Sequence, residues 1–181
     1  MNVNYKKTLK FVTLLIISLI ISLASVAAYS ELYMRATPIT IVATDLYFTN
    51  GANTTDIGNI LYGGTEVNFT GMQVKKGEKQ TYQEAVNITN QAGSTKKITL
   101  DVDSTSGNLS AFNYVNVSII DESGTLKGQS IYLSSGSNTT TTTQIPMDTA
   151  KQWAVRWEIS AKTSAAVGTK LYVTLKLTVE D

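Results

Sequence analysis

The side chains of this chain that could do chemistry are its carboxylates, its tryptophans and a set of asparagines. Two pairs of close acids, Asp101 with Asp103 and Asp121 with Glu122, carry the oxygen ligands that Ca²⁺ takes on a loop. Acids spaced by two along a strand are more often solvated than metal-bound, so we expect no metal site. No spacing singles out a glycosidase pair of carboxylates either.

Histidine and cysteine are both absent from the 181 residues. Their absence excludes disulfides and thiolate chemistry, and it removes the commonest general base and the commonest metal ligand. Nucleophile pairs of the Ser-His and Cys-His kind are excluded with them. The sequence also contains no phosphate-binding loop, no dinucleotide fingerprint and no nucleophile elbow. We therefore predict that the protein is not an enzyme and holds no cofactor.

Asparagines in the N-x-[ST] triplet are the strongest chemical signal, because this triplet accepts N-linked glycans on secreted proteins. Three of them fall on the polar phase of predicted strands and three fall in turns. We expect all six to face solvent and to be able to carry a sugar. They are Asn53, Asn68, Asn87, Asn108, Asn116 and Asn138.

The elements that must position these side chains are β-strands, because apolar and polar residues alternate strictly in many short runs. Glycine-containing turns separate the runs, and no helical pattern of useful length follows residue 28. We predict an all-β fold, a jelly roll or β-sandwich of about eight or nine strands. Trp153 and Trp157 share the apolar phase of one run, which favours a place in the core over a sugar-binding platform. The clearest runs are 66–70, 83–89, 98–103, 114–119, 152–160 and 170–179.

Residues 1–28 have the three-part layout of a secretory signal peptide. A short basic region precedes an uncharged run, 11–28, that ends in small residues. Cleavage is expected on either side of Ala28, after Ala27 or before Tyr29. The alternative is an uncleaved membrane anchor, because 18 residues suffice to span a bilayer. Three of the 15 basic residues lie in this segment, which leaves 12 basic against 14 acidic residues and no footprint for nucleic acid.

The stretch 29–42 is extended in character and precedes the domain predicted for 43–181. No tight turn marks a hairpin partner for it. One interpretation is a flexible tail. The other is a donor strand that adds to a second subunit, where backbone hydrogen bonds give affinity and alternate side chains fill pockets. Such a head-to-tail contact does not close and so produces a filament. The donor side chains would be Leu32, Met34, Ala36, Ile39 and Ile41.

Four motifs give the chain a family resemblance. Ala28-Tyr29 with the polar pair that follows, the segment 41–48, the turn 74–80 and the strand and turn 86–99 occur in the order seen in TasA/camelysin-like secreted fibre proteins. The chain resembles this group and its archaeal bundling-pilus and thread subunits. It departs from their pattern at Lys76, where the turn proline is missing, and at Ala43-Thr44, which lacks the glycine.

The resemblance implies a jelly roll whose N-terminal arm passes to the next subunit by donor-strand complementation. Together with the six asparagine triplets, it favours a glycosylated homopolymer in an extracellular filament that serves adhesion, cell–cell contact or a biofilm scaffold. The Asn/Thr-rich surface is similar to that of the archaeal members. Some members carry a metalloprotease label, which a chain without histidine does not support. Two rivals stay open: a monomeric, membrane-tethered surface protein and a carbohydrate-binding module.

Overall fold

The computed structural model describes residues 45–181, which belong to a compact unit spanning Thr44–Asp181. This part of the chain is all-β, as the sequence predicts, with several antiparallel sheets. The signal segment 1–28, its cleavage site and the arm 29–42 lie outside the described residues.

A six-stranded antiparallel sheet forms one layer, in the spatial order β1-β4-β10-β6-β7-β8. Alternation of apolar and polar residues builds its central strands, so that one face of each turns toward the core. Its strands are β1 Leu46–Thr49, β4 Lys79–Asn90, β6 Phe112–Ile120, β7 Leu126–Leu133, β8 Asn138–Thr139 and β10 Gln152–Ala161.

A three-stranded sheet in the order β11-β5-β9 forms the facing layer, and β2 pairs with β3 as a separate hairpin. The described helices are short: α1, Thr54–Ile57, and two 3-10 turns at Tyr62–Gly64 and Leu109–Ala111. The remaining strands are β2 Gly58–Leu61, β3 Glu66–Phe69, β5 Lys96–Gly107, β9 Ile145–Met147 and β11 Leu171–Glu180.

One apolar core joins the two layers. It combines Ile88 of β4 and Val117 of β6 with Ile98 of β5 and Met147 of β9, all of which are buried. The side chains of β10 run through the middle of this core, because β10 lies between β4 and β6. The β2–β3 hairpin covers one end, where the Phe69 ring meets the Trp157 ring edge-on at 6.2 Å between centroids. The described residues therefore have a β-sandwich-like architecture.

The described part has eleven strands, more than the eight or nine expected. The additional ones are short or interrupted. Gly128 adopts a positive φ of 66° within β7, and the pairing of β6 with β7 shifts register beside it. That bulge breaks the period of two on which the strand prediction depends. β9 carries Pro146 and has only three residues, which weakens its sequence signal.

Candidate strand-acceptor edge

The longest strand edge in the described structure belongs to β11. Within residues 45–181, β11 pairs with β5 along its whole length, from Leu171 opposite Gly107 to Glu180 opposite Lys97, and with no strand on its other side. A free edge of ten residues presents a row of backbone N–H and C=O groups that another strand can bond.

The other strands that end the two sheets, within the described residues, are much shorter. β1 has four residues, β8 has two and β9 has three. Short edge strands are one of the ways in which β-proteins avoid pairing with other chains. β11 does not follow this rule, and it carries no proline or bulge of its own to protect it. The register shift beside Thr174 places the extra residue on β5 instead.

The apolar side chains of β11 are only partly buried. The members of its inward-facing row pack against the core but are only half-buried, whereas the corresponding residues of β4, β6 and β10 are buried. This row is Leu171, Val173, Leu175 and Leu177. Half-buried leucines and valines beside an unpaired strand edge leave apolar surface that a further strand would remove from water.

The β11 edge lies on the same side of the sandwich as β1. At the opposite side β7 approaches β9 closely, since a Cβ at Gly128 would lie 2.9 Å from Cγ1 of Ile145. Because β9 and β11 flank β5, β11 is the strand remote from β7. Half-buried apolar side chains also gather on β1, β2 and β3, as at Phe48, Ile60 and Val67. The incompletely covered part of the core is therefore on this side.

A charged cluster links the end of β11 to the start of β1. Lys96 of β5 is only 9% exposed, and its Nζ lies 2.7 Å from Oδ2 of Asp45 and 2.5 Å from Oδ1 of Asp181. The hydrogen bonds that the Lys96 ammonium donates to these two carboxylates raise the pKa of Lys96, the one to Asp181 most. The Lys96 ammonium in turn lowers the pKa of Asp181. The cluster, which we call the Lys96 clasp, holds the point where residues 1–44 join the described domain.

The predicted asparagines divide by environment. Asn68, Asn108 and Asn138 are exposed. The Oδ1 atom of Asn108 accepts a hydrogen bond from Ser110, and that of Asn138 accepts one from the backbone N–H of Ser134. In both cases the bonded atom is the oxygen, so these contacts do not occupy the amide nitrogen to which a glycan attaches.

The expectation that all six asparagines face solvent is wrong for Asn87. It is 9% exposed, and its Nδ2 donates to the backbone oxygen of Asn50 at 3.3 Å. β4 is flanked by β1 and β10 at this point, and Ala85 to Ile88 are all buried, so polar phase does not mean exposure here. Asn53 and Asn116 are half-buried. Oδ1 of Asn53 accepts from the N–H of Glu84, and Oδ1 of Asn116 is buried without a partner.

The candidate calcium ligands do not converge in the described structure, where no group of three or more acidic side chains could hold a metal ion. Asp121 instead organises its own turn. Its Oδ1 accepts from Ser123 and Thr125, and Lys127 lies 2.7 Å from its Oδ2. The Lys127 ammonium, followed by these turn donors, holds the pKa of Asp121 well below its usual range. Asp101 bonds Thr141, and Asp103 is exposed on β5.

Both tryptophans are buried, as their phase predicts, with Trp153 and Trp157 exposing 6% and 7%. They therefore offer no platform for a sugar ring. Lys127 lies over the Trp153 ring at 5.6 Å, which ties the turn after β6 to the core.

The arm residues Leu32, Met34, Ala36, Ile39 and Ile41 lie outside the described residues, as do Ala27, Ala28 and Tyr29. Sequence reasoning did not identify β11 as the edge that could receive a strand. Its alternation is as regular as that of β10, and alternation alone does not tell an edge strand from a central one. Lys96 was also missed, although it shares the apolar phase of Ile98 and Leu100, whereas Lys97 lies on the polar phase with Thr99.

Within the described range, no helix is both long and apolar enough to cross a bilayer. No known family model matches the chain, and a search of curated proteins finds no significant match.

Proposed function

We propose that the protein is a secreted structural subunit that polymerises by donor-strand complementation. The first part of the arm 29–42 of one subunit would lie along β11 of the next. The single observation that carries this proposal is the ten-residue edge of β11, which has no partner strand among residues 45–181, with its half-buried apolar row. An added strand would satisfy the free backbone groups and cover the row at the same time.

In this proposal residues 1–28 are removed as a signal peptide, with cleavage beside Ala28. The mature chain is then an extracellular filament subunit with a jelly-roll domain, N-linked glycans and a role in adhesion, cell–cell contact or a biofilm scaffold. Its similarity to TasA/camelysin-like fibres and archaeal thread subunits supports this assignment. It acts without a cofactor and without enzymatic activity.

Head-to-tail exchange also accounts for the contrast between the sheet edges. If each β11 is covered by a neighbouring arm, the longest edge strand among residues 45–181 is paired in the polymer. A filament in which the β11 edge is paired has one open strand edge fewer at which other chains could associate. Head-to-tail strand addition does not close on itself, so it extends into a fibre.

The proposal is tested on material sheared from the cells that make the protein. Intact-mass measurement with N-terminal sequencing should give a start at Ala28 or Tyr29, and negative-stain microscopy of the same fraction should show fibres. A start at Met1, with the protein retained in the membrane fraction and no fibres, would instead establish the tethered monomer.

A further inference from the structure

We infer that the incoming arm runs antiparallel to β11 in one register, with Glu31 opposite Lys176 and Arg35 opposite Tyr172. This inference rests on the proposed function, and it names the residues by which one copy selects the strand of another. It follows from the phase of β11, from the charges on both strands and from the place where the arm leaves the domain.

The phase of β11 limits the arm to registers that put its apolar side chains inward. Leu171, Val173 and Leu175 face the core, while Tyr172 and Lys176 are exposed on the other face. Since side chains alternate between the faces of a strand, the even-numbered arm residues must lie opposite odd-numbered residues of β11. The inferred register pairs Leu32 with Leu175, Met34 with Val173 and Ala36 with Leu171.

Charge selects among these registers, because Glu31 and Arg35 are the two charged residues of the arm. In the inferred register Glu31 meets Lys176, and Arg35 meets Tyr172, which is 59% exposed and open to a cation. A shift by two residues toward the start of β11 places Arg35 opposite Lys170. A shift by four toward its end places Arg35 opposite Lys176. Both of these registers set like charges against each other.

The antiparallel register shifted by two toward the end of β11 makes neither favourable pair. It also brings Pro38 opposite Leu171, inside the strand, where proline has no N–H to donate. In the inferred register Pro38 falls beyond Leu171, past the end of β11. The arm can then turn toward its own domain without losing a ladder hydrogen bond.

The Lys96 clasp sets the direction of the arm. Lys96 contacts both Asp45 and Asp181, so Asp45 lies near the Asp181 end of β11. The arm that precedes Asp45 therefore joins its own domain at that end. An antiparallel incoming arm has its Tyr29 end there and its domain beyond Leu171, at the opposite end. Successive domains then follow one another along a line. A parallel arm would bring the neighbouring domain to the end already occupied by the acceptor's own arm.

Cysteine cross-linking tests this register cleanly, because the natural chain contains no cysteine. In the full-length chain, Tyr33→Cys with Thr174→Cys places two thiols directly opposite each other between subunits. Directly opposed residues have Cα atoms about 4.5–5.5 Å apart, which a disulfide can span. Oxidised fibres should give a ladder of covalent oligomers on non-reducing gels, and the ladder should disappear with reductant.

The matched control is Tyr33→Cys with Thr178→Cys, four residues away and about 13 Å along the strand. It should give no ladder. A ladder from this control pair, or fibres in which neither pair cross-links, would overturn the register while leaving the filament itself established. If the unmodified protein makes no fibres, the register falls together with the proposed function, so the two failures are distinct.

A charge exchange gives a second readout. Glu31→Lys and Lys176→Glu should each raise the protein concentration needed for assembly by about twofold to fivefold, as expected for one cross-strand ion pair. Glu31→Lys combined with Lys176→Glu should restore the original value. If the double variant instead needs a still higher protein concentration for assembly, equal to the two single effects combined, these side chains do not face each other.

Discussion

The charged side chain of Lys96 is nearly buried, and its ammonium is paired with two carboxylates. Replacement by methionine preserves length but leaves Asp45 and Asp181 without their partner. We expect Lys96→Met to lower the thermal midpoint of the domain clearly more than Lys97→Met does. Lys97 is the matched control because it is exposed one residue away. Equal losses in the two variants would show that the clasp does not stabilise the domain.

The pH dependence of the clasp follows from the directions of its pKa shifts. The pKa of Asp181 is lowered from 3.8, so its contribution to the free energy of unfolding is present above that value and is lost as pH falls below it. The pKa of Lys96 is raised from 10.5, so its contribution is present below that value and is lost at still higher pH. The stability difference between wild type and Lys96→Met should therefore be constant from pH 5 to pH 9. A difference that changes strongly within that window would contradict this account.

The asparagine environments predict which glycosylation triplets are used. Peptide mapping of the secreted protein should find glycans at Asn68, Asn108 and Asn138, since these side chains are exposed. Asn87 should be unmodified, because it is buried and its Nδ2 is bonded to Asn50. Asn68→Gln should remove one glycan mass, while Asn87→Gln should leave the total mass of sugar unchanged. A glycan on Asn87 would show that modification precedes burial of this strand.

Among the elements, the contact of β7 with β9 ties the two sheets together at Gly128. This residue has a positive φ, and a Cβ there would lie 2.7 Å from Thr143 Oγ1. Gly128→Ala should reduce the free energy of unfolding by about 2–4 kcal/mol, from left-handed strain and overpacking combined. Gly124→Ala, at φ 79° with open space around it, should cost only about 1–2 kcal/mol. Urea unfolding measures both, and equal losses would mean that the β7–β9 contact is not tight.

The arm is the element that the proposed function makes responsible for assembly. Leu32→Ser combined with Met34→Ser should abolish fibres, because two apolar side chains no longer enter the surface beside β11. The melting temperature of the unassembled full chain should not change, since the substitutions lie outside the domain. Thr37→Ser is the control, because it changes the arm without altering its apolar side chains. This variant should assemble normally. Normal fibres from the double serine variant, seen by negative stain, would show that the apolar phase of the arm is not used.

For the whole molecule, the sequence predicts the all-β class and most strand cores because burial on one face imposes a period of two. Trp153 and Trp157 lie in the core for that reason. The alternation of residues along one strand does not specify the order of the strands in a sheet. It could not reveal that β11 is an edge, or that Asp45 and Asp181, far apart in the sequence, meet at Lys96. It failed at Asn87, where neighbouring elements cover a polar side chain, and at β7, where a bulge interrupts the alternation.

The central claim concerns the whole molecule: the arm of one subunit completes the sheet of the next. Its most direct test is negative-stain microscopy of sheared material from cells that express either the full chain or a chain lacking residues 30–42, which keeps Tyr29 at the expected cleavage site. The account predicts fibres from the full chain, and only monomers or irregular aggregates from the shortened one. Intact fibres from the shortened chain would contradict it.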